Sequence, residues 1–89
     1  TDTGSDVGTD PFTDTLDIPA GGAAFGVAFD TGATTFTWTN LTEAADSTTE
    51  SQTYSMAAAT FATLQTGLSL TADAAASTEG VAAFASFGP

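Results

Sequence analysis

The chain contains no lysine, no arginine, no histidine and no cysteine. Each absence removes a class of function. Without cysteine there is no disulfide and no thiolate metal site. Without histidine or cysteine the usual ligands of transition metals are missing. Without a basic side chain nothing neutralises phosphate, which excludes nucleic acid as a natural ligand and makes attraction to an anionic membrane surface implausible. No salt bridge can form between side chains, no Lys–Asn isopeptide bond can cross-link copies, and trypsin finds nothing to cut.

The catalytic inventory is equally thin. General acid–base work usually draws on His, and nucleophilic catalysis on Cys, Ser or Lys beside a base. Here a Ser could act only with a carboxylate as its base, and no nucleophile-elbow pattern is present. A carboxylate pair of the glycosidase kind normally needs a larger fold with a deep cleft. No catalytic residue is assigned, and the chain is not expected to be an enzyme. No run approaches the roughly 18 continuous apolar residues of a membrane helix.

What is present is acid, threonine and alanine. Eleven Asp and Glu give a formal net charge of −11 in 89 residues. Every carboxylate must be met by water, a backbone N–H, a counter-ion or a partner. The charged fraction is only 12% and hydrophobic content is 42%, which is not the composition of a disordered acidic tail. One small domain is the limit at this length, and so small a core is marginal without a staple. With disulfides excluded, the staple is expected to be an ion or other copies of the chain.

Residues 1 to 16 hold an internal repeat, four tetrads that each open on a hydroxyl residue and Asp: Thr1-Asp2, Ser5-Asp6, Thr9-Asp10 and Thr13-Asp14. The Gly-rich first half reads as a flexible acidic arm over 1–11, ahead of a single β domain over 12–89. Phe12, Leu16 and Ile18 fall on one side of an extended run at 12–18, ended by Pro19. They are the candidate assembly arm, a strand able to complete a sheet edge in its own subunit or the next. Asp2, Asp6, Asp10, Asp14 and Asp17 are the candidate calcium ligands, because calcium takes oxygen donors. Carboxylates four residues apart in an extended arm are about 13 Å apart, too far for one ion. The solvated acidic arm is the simpler reading.

From Ala23 to Asn40, Phe25, Val27 and Phe29 alternate with small residues, and Phe36 and Trp38 alternate with threonines. With Asp30-Thr31-Gly32 between them, the two runs predict a β-hairpin of 23–30 and 33–40. The alternation assigns Phe25, Phe29, Phe36 and Trp38 to the core. A carbohydrate-binding surface using Trp38 and Tyr54 is the weaker reading. Asn40-Leu41-Thr42 matches the N-glycosylation acceptor pattern, which arises often by chance.

Leu41 to Glu50 reads as a polar loop and Ser51 to Met56 as a strand. Ala57 to Gln65 carries a helical spacing of Phe61, Leu64 and Leu68 against β-favouring threonines, and reads as a short helix in balance with extended structure. Residues 67 to 73 read as a strand. Val81 to Phe87, small and apolar on both faces, reads as a buried strand. Six strands with turn signals about every ten residues predict an all-β fold, a small β-sandwich or jelly-roll-like domain.

These observations predict a non-enzymatic structural subunit of a many-copy assembly, an extracellular filament or pilus-like fibre, or a virion coat or decoration protein. Cohesion would come from non-covalent packing and strand addition between copies. The alternative is a calcium-dependent extracellular adhesion or binding module, and no other cofactor is expected. The chain begins at Thr1 without Met, which fits either a removed leader or a trimmed Met. The composition leans towards the outside of a cell or virion.

Overall fold

The computed structural model describes residues 2–8, 11–32, 35–49, 52–75 and 79–89. The described residues are all β, as the sequence predicts, with eight strands where the turn signals marked six. These are β1 (Asp2–Gly8), β2 (Phe12–Ile18), β3 (Gly22–Asp30), β4 (Phe36–Thr39), β5 (Thr42–Thr49), β6 (Gln52–Phe61), β7 (Gln65–Ala74) and β8 (Gly80–Phe87). They form a five-stranded sheet in the order β1-β8-β3-β6-β5 and a three-stranded sheet in the order β2-β7-β4. Every pairing is antiparallel. The first strand pairs with the last, the second with the second last and the third with the third last. This nesting, split over two layers, is that of a jelly roll. One strand departs from it: β5 pairs with β6 in the larger sheet instead of extending the smaller sheet beside β4.

Phe12 to Ile18 is a strand at the predicted boundaries, paired with β7 of its own chain. Four readings of secondary structure and pairing need correction. The runs 23–30 and 33–40 do not form a hairpin, because β3 lies in the larger sheet and β4 in the smaller. Residues 57–65 hold no helix: β6 runs to Phe61 and a bend leads into β7 at Gln65. Pairing along the whole of β3 outweighs the intrinsic helix preference of the alanines. The polar stretch 42–49 is a strand, admitted to the sheet by a bulge between Glu43 and Ala45. Finally, Asp2–Gly8, read as part of a flexible arm, forms β1 along β8.

The two layers fill the core unequally. The smaller sheet contributes large side chains: Phe12, Leu16, Ile18, Phe36 and Leu70 are buried. The larger sheet contributes mostly small ones, with Ala24, Ala28, Ala57 and Ala82 around the buried Phe84, and Phe61 packed against the core. Gly26 shows why. A Cβ there would lie 2.7 Å from the Trp38 ring and 3.0 Å from that of Phe84. Trp38 stands edge-on to Phe84 at 6.3 Å, with its indole N–H donated to Ser55 Oγ at 2.8 Å. Ser55 in turn donates to the Ala45 carbonyl at the β5 bulge, so this buried pair is satisfied.

Small inward residues leave the large residues of β3 facing outward. Phe25 is 40% exposed, and Phe29 is half-buried on the same outer face. The assignment of these two to the core is therefore overturned, while Phe36 is core and Trp38 packs against it.

Candidate functional site

The outer face of the larger sheet is the most unusual surface of the molecule. Cross-strand register fixes its rows, because directly opposed residues share a face. One row reads Thr3, Ala85, Phe25, Ala58, Thr42. The next reads Ser5, Ala83, Val27, Met56, Ala45, and the third Val7, Val81, Phe29, Tyr54, Ser47. Phe87, Ala23 and Thr60 close one end. The three central strands are apolar, and the flanking strands supply mostly Thr, Ser and Ala.

No carboxylate stands in any of these rows, in a chain that carries eleven. Those of the larger sheet take the other parity. Asp2 and Asp6 oppose Ser86 and Ala82, Asp30 opposes Gly80, and Glu43 and Asp46 oppose Ala57 and Ser55. Between 38% and 51% of Phe25, Val27, Tyr54, Met56, Val81 and Phe87 is open to solvent. Phe25 and Phe87 stack at 5.7 Å near one end, and Phe29 and Tyr54 meet at 5.0 Å near the other. Two shallow hollows, of about 170 and 270 Å³, lie in the face, and both are bordered by Val27 and Ala83. Contiguous exposed apolar surface of this kind marks an interaction site more often than chance.

The opposite face of the molecule differs in kind. The smaller sheet turns Thr13, Thr15, Thr37, Thr39, Ser69 and Thr71 outward, with Asp17 and Asp73 among them. Hydroxyls bond one another there, as Thr13 and Thr71 do at 3.2 Å.

The aspartate repeat has a structural explanation. β1 and β2 are edge strands of different sheets, lying side by side along one flank. Their carboxylates join the two edges. Asp2 accepts from the Thr3 and Asp17 N–H groups, Asp6 from Val7 and Thr13, and Asp14 from Thr15 and Ser5, all at 2.8–3.0 Å. Each uses one oxygen for the next residue and the other for the facing strand. Gly4 makes room: a Cβ on it would overlap the Asp14 carboxylate. Asp17 accepts from the Gly67 N–H at 2.8 Å. The seam thus caps edge N–H groups that would otherwise be open to another strand.

The proposed calcium ligands are therefore strung along this seam. Asp10 lies outside the described residues, and among the described residues no three acidic side chains gather where one ion could hold them. The candidate assembly arm is placed inside the chain: Phe12, Leu16 and Ile18 are at most 1% exposed and face the core. Asn40 is exposed with φ of 67°, a left-handed conformation that Asn tolerates, and its side-chain amide donates to the Ser69 carbonyl. Of the candidate sugar-binding pair, Trp38 faces inward and Tyr54 outward on different layers, so they share no surface.

The proton affinity of the Glu43 carboxyl is raised, first by desolvation, then by the like charge of Asp46 and a hydrogen bond to that residue. The β5 bulge brings the two onto one face. Among the described residues, no helix is long and apolar enough to cross a membrane.

Sequence reasoning missed the apolar face because β3 is apolar on one side and small on the other, which resembles a half-buried strand. A signal was present in Val81 to Phe87, apolar on both faces. Such a strand needs a cover on each side, and the fold supplies one. No family model, no curated protein and no solved structure matches the chain.

Proposed function

We propose that this domain is a non-enzymatic structural subunit of a many-copy assembly, an extracellular filament or a virion coat or decoration protein, whose copies cohere through the outer face of the larger sheet. One observation carries the reading: a chain of net charge −11 keeps this whole apolar face free of carboxylates. The charge pattern favours another copy as the partner. A site built for a cationic partner would set carboxylates in or around the contact. A like-charged partner requires their removal, since apposed like charges cost several kcal/mol. Apolar centre and neutral polar rim also match the general anatomy of protein interfaces. Strand addition through Phe12–Ile18 does not support the reading, because that strand is engaged within its own chain.

Light scattering and electron microscopy of the protein at physiological salt test it. Regular multi-copy particles or fibres are expected. A monomer that persists at high concentration sinks the proposal, and a monomer whose melting temperature rises saturably with calcium favours the adhesion module instead.

A further inference from the structure

We infer that two copies pair face to face across a two-fold axis running along the row Ala83–Val27–Met56, perpendicular to the strands. The inference rests on the proposed cohesive face and adds its symmetry. Face-to-face pairing of identical sheets requires a two-fold axis lying in the plane between them, and any residue on that line meets its own copy. Such a face must be complementary to itself about the line. The row Ala83–Val27–Met56 lies between the row of Phe25 and the row of Phe29. An aromatic pair stands on each side of it, Phe25 with Phe87 and Phe29 with Tyr54. A hollow lies on each side as well, and Val27 and Ala83 border both. Rotation about the row sets the Phe25–Phe87 pair of one copy over the Phe29–Tyr54 end of the other, against its hollow.

Area supports a second copy as the occupant. Five strands about 4.8 Å apart and seven residues long at about 3.4 Å per residue make a face on the order of 600 Å². Two such faces together bury about 1,200 Å² before side-chain relief is counted, at the lower end for a specific interface. Hydroxyl-rich flanks leave the acidic seam of β1 and β2 at the perimeter, where water and salt screen it.

The chain has no cysteine, so a single introduced thiol reports its own neighbour. Sheets packed face to face lie about 10 Å apart, beyond direct disulfide reach but within that of a short bismaleimide. Val27→Cys and Ala83→Cys are each expected to give a cross-linked dimer on their own. Phe25→Cys alone is expected to give none, whereas an equal mixture of Phe25→Cys and Phe29→Cys gives the heterodimer. Thr39→Cys, on the hydroxyl face, is the negative control. All five positions are outward-facing, and circular dichroism checks that each variant folds. Copies that associate by light scattering while neither Val27→Cys nor Ala83→Cys cross-links would overturn the axis and leave the assembly reading standing. A monomeric wild type overturns both, as does a monomer that binds neutral phosphatidylcholine vesicles through this face, which would make lipid the occupant.

Discussion

Two phenylalanines eleven residues apart show how little a side chain's identity says about its surroundings. Phe36 is 5% exposed and packs against Phe12 and Trp38, whereas Phe25 is 40% exposed and stacks only on the outer face. Phe36→Ala is expected to cost about 3–5 kcal/mol in urea unfolding, the usual range for emptying a core site. Phe25→Ala, measured at a dilution where the chain is monomeric, should cost about 1 kcal/mol, since less area leaves contact. Equal losses would contradict the assignment of faces. Gly26 is the complement of this arrangement. Gly26→Val drives a branched side chain into the Trp38 and Phe84 rings. Overpacking there should destabilise by about 1–3 kcal/mol, with a change in tryptophan fluorescence.

At the scale of strands, the clearest device is the carboxylate seam. Asp6→Ala and Asp14→Ala each remove the side-chain acceptor of an N–H on the facing strand. A loss of about 1 kcal/mol is expected for each, a typical net value for one hydrogen bond. Hydrogen exchange should quicken at Thr13 in the first variant and at Ser5 in the second. Unchanged protection at these amides would show that the seam does not join the strands. In β5, the folded chain holds the Glu43 proton to a higher pH than the unfolded chain does. That group therefore favours the fold below its folded-state pKa and loses the contribution as pH rises through it. Glu43→Gln should raise the melting temperature at neutral pH and flatten its pH dependence on the acidic side. An unaltered profile would refute the Glu43 assignment. The boundaries of β2 were legible, because Pro11 and Pro19 frame an alternating run. The face of β3 was not. Asp30 shares the parity of Ala24, Gly26 and Ala28, which makes the small side look like the solvent side. Instead Asp30 is buried at the strand end, where it accepts from the Gly32 N–H. Nor could alternation show that β3 and β4 part into different layers, since pairing partners are not a local property of either run.

For the whole molecule, the organising fact is where the charge is absent. The deficit of cations was legible from composition, and the expectation of a partner was drawn from it. The charge-free face was not legible, because it depends on a register linking five strands that span nearly the whole chain. Self-repulsion among eleven carboxylates should make both fold and assembly salt-dependent. Raising ionic strength from about 0.01 M to 1 M shortens the Debye length from about 30 to 3 Å. The melting temperature should rise accordingly, and calcium at matched ionic strength should add no saturable step of its own. A saturable calcium step would point to the binding module. Whether copies cohere through the charge-free face is decided by sedimentation velocity at physiological salt. Wild type is compared with Val27→Asp, which puts a carboxylate at the centre of that face, and with Thr39→Asp, which puts the same charge on the hydroxyl face. Wild type and Thr39→Asp are expected to sediment as assemblies and Val27→Asp as a folded monomer; a monomeric wild type, or a Val27→Asp variant that assembles as fully as Thr39→Asp, would rule out cohesion through this face.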